Sequence, residues 1–462
     1  MYRNRKAPVK PFEEKVVSVC KDFLSSTALS TFFKNLKGNK PYLYLKPLKC
    51  FGLLSKKVNV RYYSSLNHGK DWEEFVEWLR GFIDSEGNFV IESMNNGRSY
   101  RFNFQITLHI DDIETLYFIN RKLGGIGKIR DKGTNAVFTI RAQKDIIKII
   151  DILSKNPLNT KKYLDFFDFK RAFELYISSK VKTTELIREI SLIKSNMNRG
   201  RTNFEMPAEF KYRITPYWLL GFVEGDGSFY ICRKNFQLYF AIVQHYKDSE
   251  LMHKICDFLY NLPRVDTKII HKTSIRISES LGTNNSVTYL VINHYDLIKS
   301  LIIPFFSSMT WRSKKFLDFE DFTWVFKLKE QGHHYSHKGK ILINSFLEQM
   351  NNNRLSTSGK PRADRELLIS QANIMLQGPS NYEKVGGKTW IISKNKWLTY
   401  RKHVAIEILD DKGNLVKTCQ SITAVMDFLG VSRYIVLKRL EDGESIFWEK
   451  ENRLIYIREV EV

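Results

Sequence analysis

A fourteen-residue tract occurs twice in this chain of 462 residues, and that doubling constrains the fold more than any other feature. Trp78–Ile91 (WLRGFIDSEGNFVI) aligns with Trp218–Ile231 (WLLGFVEGDGSFYI), with seven of the fourteen positions identical. The correspondence continues downstream. Phe104–Leu116 parallels Phe240–Leu251, and Thr160–Phe166 parallels Ser313–Phe319. One sequence pattern at two places must satisfy one local fold twice, so the middle of the chain reads as two copies of one module. Their expected extents are 71–205 and 206–355.

The periodicity within a copy predicts its elements. A helix runs from Asp71 or Trp72 to about Ser85. In the strand Arg101–Leu108, Phe102, Phe104, Ile106 and Leu108 fall on one face and Arg101, Asn103, Gln105 and Thr107 on the other. Asp111 and Asp112 suit a helix start. Strands over 127–132 and 135–141 flank Gly133, and a last helix covers 143–154. The pattern is αββαββα, an α+β module with one open sheet face.

Charge says what that face meets. Lys and Arg number 73 against 50 Asp and Glu, a net charge of +23, which points to a polyanionic partner. No stretch approaches the roughly 18 uninterrupted apolar residues of a spanning helix, so a membrane is not the expected partner. Five scattered cysteines form no C-x-x-C pair, against a disulfide framework or a structural zinc. On the open face of the first copy, Arg101, Asn103, Gln105, Lys128, Arg130, Lys132 and Arg141 are candidates to contact double-stranded DNA; Tyr230, Gln237, Tyr239 and Arg276 are their counterparts in the second. An ordinary solvated sheet face is the alternative.

The helix ends carry the candidate chemistry. Gly81 and Ser85 in one copy, and Gly221 and Gly225 in the other, are small residues four apart, which permits two helices to approach closely. Packing through those faces creates a pseudo-two-fold axis and sets Glu86 beside Asp226. Two carboxylates at helix C-termini oppose the macrodipole and repel each other unless a cation compensates. Oxygen ligands suit a hard divalent ion, Mg²⁺ or Mn²⁺, and the chemistry inferred is metal-assisted phosphodiester hydrolysis. An acid before a glycine is also a plain helix-to-strand turn, and it is the doubling that favours the functional alternative.

Leu79–Gly87 (LRGFIDSEG) and Leu219–Gly227 (LLGFVEGDG) resemble the paired signature of the LAGLIDADG homing endonucleases and intron maturases, in the single-chain, two-motif form of organellar introns. The resemblance implies that Glu86 and Asp226 bind the catalytic metal. It further implies that Lys161 and Lys314 support the metal-bound water and that Gln244, at the end of the second strand, completes the site. Two departures stand out: Leu108 occupies the place of that glutamine in the first copy, and Glu86 replaces the usual Asp. The implied activity is site-specific, double-strand DNA cleavage by a monomer. The alternatives are a maturase that binds group I intron RNA and a catalytically silent nucleic-acid scaffold.

The flanks read differently. Residues 1–70 are strongly basic, either a mitochondrial leader or a flexible arm, and the resemblance to proteins of organellar introns implies a mitochondrion or another organelle. His333-His334-Tyr335-Ser336-His337 is expected to be a solvated connector, and 356–400 a linker. Residues 401–462 are expected to form a small unit of two strands and a helix-turn-helix, with Arg433, Lys438 and Arg439 toward DNA. That unit resembles the modular DNA-binding repeats appended to homing nucleases.

Overall fold

The computed structural model describes residues 68–262, 275–280, 286–361, 363–398 and 405–460; the leader or arm expected over 1–70 lies, through residue 67, outside the described residues. Helix α1 (His68–Glu86) opens the first module. Its apolar residues Phe75, Val76, Trp78, Leu79, Phe82 and Ile83 recur at helical spacing and are all buried, so one stripe faces the core. Strands β1 (Gly87–Met94) and β2 (Ser99–His109), helix α2 (Ile113–Lys122), β3 (Lys128–Asp131), β4 (Asn135–Ile140) and α3 (Gln143–Lys155) follow. Two further helices, α4 (Lys162–Ser178) and α5 (Thr184–Ser195), complete the module beyond the expected αββαββα.

The second module repeats the order with α6 (Pro216–Asp226), β5 (Gly227–Ile231), β6 (Leu238–His245), α7 (Ser249–Tyr260), β7 (Ile275–Ser280) and β8 (Val287–Ile292). A helical stretch with a π turn at Ile298–Ile302 follows, then α8 (Lys315–Glu330) and α9 (His337–Leu347). The sheets are antiparallel with equivalent orders, β1-β2-β4-β3 and β5-β6-β8-β7. Their registers match: Phe89 faces Phe104 and Phe229 faces Phe240, while Phe104 faces Ile140 and Phe240 faces Ile292.

The repeat extends past what the helices require. Asn198 and Asn351 both take positive φ, near 53° and 55°, and each donates its side-chain amide to a strand carbonyl, Phe89 O and Phe229 O. Three residues later, Arg201 pairs with Asp165 and Asp168, and Arg354 with Asp318 and Asp321. Each module is thus latched shut by one Met-Asn-x-x-Arg segment.

Helices α1 and α6 pack through their glycines. A Cβ on Gly81 would lie 2.0 Å from Trp218 O, and one on Gly221 would lie 2.0 Å from Trp78 O. No side chain larger than hydrogen fits either place, and the reciprocity is the expected pseudo-two-fold relation. One continuous apolar cluster runs through both modules.

Two expectations need correction. The 356–400 stretch is no plain linker: α10 (Arg365–Gln377) buries Leu368 and Ala372 in the main core, and β9 (Tyr382–Val385), β10 (Lys388–Ile391) and β11 (Lys396–Trp397) form a small sheet. The histidine segment is only partly solvated: His337 is exposed, but His334 is half-buried. His333 is buried, and Asn381 bonds back to Gly332 O and Gln331 O, pinning the small sheet onto this turn. Beyond it, β12 (Ala405–Asp410), β13 (Leu415–Cys419), α11 (Ile422–Leu429), α12 (Arg433–Asp442), β14 (Ile446–Trp448) and β15 (Arg453–Val460) have an apolar core of their own. The last two strands were not anticipated; they complete a sheet ordered β13-β12-β15-β14.

Candidate active site and nucleic-acid faces

Glu86 and Asp226 end α1 and α6, at the same end of the helix pair. A Cβ on Gly225 would come within 3.2 Å of Glu86 Cγ, so the two termini meet side by side. Burial raises the Glu86 pKa, and the Asp226 charge raises it further. Burial also raises Asp226, opposed by the amide that Gln244 donates to its Oδ2 at 2.5 Å and by two nearby lysines.

Those lysines are Lys162 and Lys315, not Lys161 and Lys314. Lys162 Nζ donates to Ile83 O and Ser85 O at 3.0 and 2.9 Å; Lys315 Nζ donates to Gly225 O and Gly227 O at 2.8 and 2.6 Å. Each ammonium thus caps the carbonyl end of a motif helix, where the macrodipole is negative. Burial lowers both pKa values, and the surrounding carboxylates, Glu86 and Asp226 among them, resist that fall. The expected pair sits one residue aside. The amide N of Lys161 donates to Asp248 Oδ1 at 2.8 Å, and that of Lys314 to Asp112 Oδ1 at 2.7 Å, both across the module boundary; Lys314 Nζ approaches Asp111 at 3.9 Å.

A buried framework that sequence reasoning missed places these lysines. Asp84 accepts from the amides of Asn159 and Thr160, the Thr160 hydroxyl, and Trp218 Nε1 at 2.8 Å. Glu224 mirrors it, accepting from the amides of Arg312 and Ser313 and from Trp78 Nε1 at 3.1 Å. Each acid therefore holds the loop that leads into its own module's lysine and also bonds the opposite motif helix. The signal was present as the Asp84/Glu224 match within the repeat; the direction of these side chains was not.

The donor set suits a hard cation. Two carboxylates, with the Gln244 amide behind one of them, converge, and among the described residues no group of three or more His, Cys, Asp or Glu is arranged to hold a metal ion by itself. An ion held by Glu86 and Asp226 would complete its shell with water and phosphate oxygens, as Mg²⁺ prefers. Leu108 lies opposite Ala136 on β2 just as Gln244 lies opposite Thr288 on β6, so the first half of the centre carries an apolar side chain where the second has an amide.

The open faces differ between modules. Arg101, Lys128, Arg130, Lys132 and Arg141 are exposed and Gln105 is half-buried, but Asn103 is fully buried, accepting from Arg141 Nε at 2.8 Å. Asn103 thus braces Arg141 instead of facing a ligand. Glu92, on the same face, lies 3.7 Å from Arg101 and 3.9 Å from Arg141. On the second face Tyr230 and Tyr239 stack at 4.7 Å, and Tyr239 Oη donates to Gln237 Oε1 at 3.0 Å. Val243 and Tyr289 are also exposed, so this face is aromatic where the first is basic. Arg276 falls on β7, but its side chain lies outside the described residues. In the C-terminal unit Arg433 and Lys438 are exposed, whereas Arg439 bonds Asp442 and Glu444 within its own chain turn.

The architecture defines a class: a single-chain pseudo-dimer whose paired helix-end carboxylates sit between two open sheets. The profile of the LAGLIDADG endonuclease family matches residues 79–173 and 219–326, one stretch within each module, and the two modules belong to that family. It is 32% identical over 234 residues to the probable intron-encoded endonuclease Cox1-I1b of Schizosaccharomyces pombe, covering 48% of this chain and 59% of that protein. It is 23% identical over 413 residues to the uncharacterized mitochondrial protein RF1 of Saccharomyces cerevisiae, covering 86% and 85%. Among solved structures, the LAGLIDADG homing endonuclease I-GzeII in complex with its DNA target superposes with a TM-score of 0.53 at 28% identity, over 60% of this chain and 99% of that one.

Proposed function

We propose that the chain is a site-specific DNA endonuclease that hydrolyses both strands of a long, asymmetric duplex target, using Mg²⁺ or Mn²⁺ held by Glu86 and Asp226. One observation carries this: both acids end helices that pack backbone to backbone, so two matched half-sites meet over one pair of carboxylates. An ion held there by Glu86 and Asp226 would supply Lewis acidity to the hydrolysis. Gln244 orients the Asp226 carboxylate. Lys162 and Lys315 each commit two of three ammonium donors to helix carbonyls, which leaves one for a water or a phosphate oxygen. Arg101, Lys128, Arg130 and Arg141 engage one half of the duplex, and the tyrosines of the second sheet engage the other. The exposed Arg433 and Lys438 of the C-terminal unit add contact outside the modules. The pseudo-dimer is internal, so the active species is a monomer. The relatives include intron-encoded endonucleases and a mitochondrial protein, which supports action in mitochondria.

The test is cleavage of intron-lacking mitochondrial DNA by the purified chain, with Mg²⁺ and with EDTA, ends being mapped by sequencing. One discrete, metal-dependent double-strand cut is expected. Glu86→Gln and Asp226→Asn should each abolish it while duplex binding persists. Cleavage undiminished by either substitution would overturn the assignment. A folded chain that binds duplex without cutting would shift the function to intron RNA binding.

A further inference from the structure

Residues 201–212 lead from the first module into the second, and they wall a surface cleft of about 1360 Å³ against Lys161 and the β6–α7 corner. Lys161, Lys211, Lys247 and Lys254 line it, and neither Lys211 nor Lys254 makes an ion pair among the described residues. Aromatic rings alternate with these cations. Lys247 Nζ sits 3.3 Å from the Phe204 ring centre, and the Phe210 ring meets Tyr212 edge-on at 5.1 Å. Those three rings are half-buried, whereas Tyr246 is 43% exposed, with His245 tilted against it at 4.7 Å. The two acids of the lining are Glu205 and Glu250, the latter accepting from Tyr212 Oη at 3.3 Å.

Pseudo-symmetry shows that the fold does not require this cleft. The equivalent corner of the first module, His109–Asp112, is covered by the tail after Arg354: Ser356 N donates to Asp111 Oδ2 at 2.7 Å, and Thr357 Oγ1 lies 2.9 Å from His109 Nε2. Acidic Asp111 there corresponds to Lys247 here. A feature needed for stability would appear in both halves. This one is open, basic and aromatic in one half alone.

Cations track a phosphate backbone, while open rings stack on bases that are not already stacked in a duplex. We infer that this cleft binds an unpaired strand of nucleic acid, at a site that shares no residue with the two sheet faces. Lys161 adjoins Lys162, so the cleft begins at the edge of the carboxylate centre. The assignment does not depend on cleavage.

The test uses the full chain in EDTA and fluorescent oligouridylate and oligothymidylate of about twelve nucleotides, a length on the scale of single-strand sites. Binding should persist when an excess of mixed-sequence duplex occupies the sheets. Lys211→Ala combined with Lys254→Ala should weaken strand binding roughly tenfold and flatten its salt dependence, and Tyr246→Ala should weaken it several-fold. Duplex affinity should change less than about twofold in each. A preference for the uridylate would identify RNA as the ligand, and one for the thymidylate would identify single-stranded DNA. Strand binding that duplex displaces one for one, or variants that weaken both ligands equally, would make the cleft part of the duplex interface and overturn the proposal. So would no strand binding at all. A chain that binds the strand but cuts no duplex would sink the endonuclease assignment and leave this one standing.

Discussion

At the scale of single residues, the separation between Lys161 and Lys162 decides a chemical role. The doubled lysines of Thr160-Lys-Lys and Ser313-Lys-Lys are legible in the sequence, but which of each pair turns inward depends on where α4 and α8 begin. Asp84 and Glu224 clamp the preceding loops, and the first helical residue, Lys162 or Lys315, then reaches the motif-helix carbonyls. Lys162→Met and Lys315→Met should each lower the cleavage rate about a hundredfold or more, the scale of a lost proton-transfer or charge-stabilising group. Lys161→Met should stay within a few-fold of the parent, as single-turnover kinetics would show. His334 offers a test independent of the nuclease centre. Burial first, then Lys329, His333 and Lys340, lower its pKa from 6.5 to about 3. Folded His334 therefore stays neutral where the unfolded chain would take up a proton. Stability is full above about pH 6.5 and falls as the pH drops toward 3, by about 2 kcal/mol at pH 5. Melting temperatures between pH 7 and pH 5 should show this loss, and His334→Gln should flatten it.

At the scale of elements, the α1–α6 contact holds the site together. Backbone meets backbone at Gly81 and Gly221, so a methyl group at either must push the helices apart, and Glu86 moves away from Asp226 with them. Gly81→Ala and Gly221→Ala should each cost about 3 kcal/mol or more, the upper range for an overpacked core. Thermal unfolding would measure that loss. An unchanged melting temperature would mean that the helices are less closely apposed. The i, i+4 spacing of small residues announced this contact. The latches at Asn198 and Asn351 were less legible, because Met-Asn-x-x-Arg reads as polar tail until its arginine is seen between two aspartates.

At the scale of the whole molecule, two copies of one module have diverged where they touch solvent and stayed alike where they touch each other. Their registers and latches match, yet one sheet is basic and the other aromatic, and Leu108 stands where Gln244 has its counterpart. Unequal halves should cut the two strands at unequal rates, with a nicked intermediate accumulating. Leu108→Gln should reduce that imbalance, and strand-specific end labels would follow it.

The sequence by itself determined the duplicated module, the α+β alternation, the paired acids and the basic balance, because each is a matter of period, identity or spacing along the chain. Only the tertiary structure decided which lysine enters the centre, that Asn103 braces an arginine, that Arg439 is spent on its own chain, and that 365–398 packs as part of the second module. Those outcomes depend on which groups from distant segments meet. A hydrogen bond between residues 75 or more positions apart, such as Asp84 with Asn159, leaves no period in the chain to read.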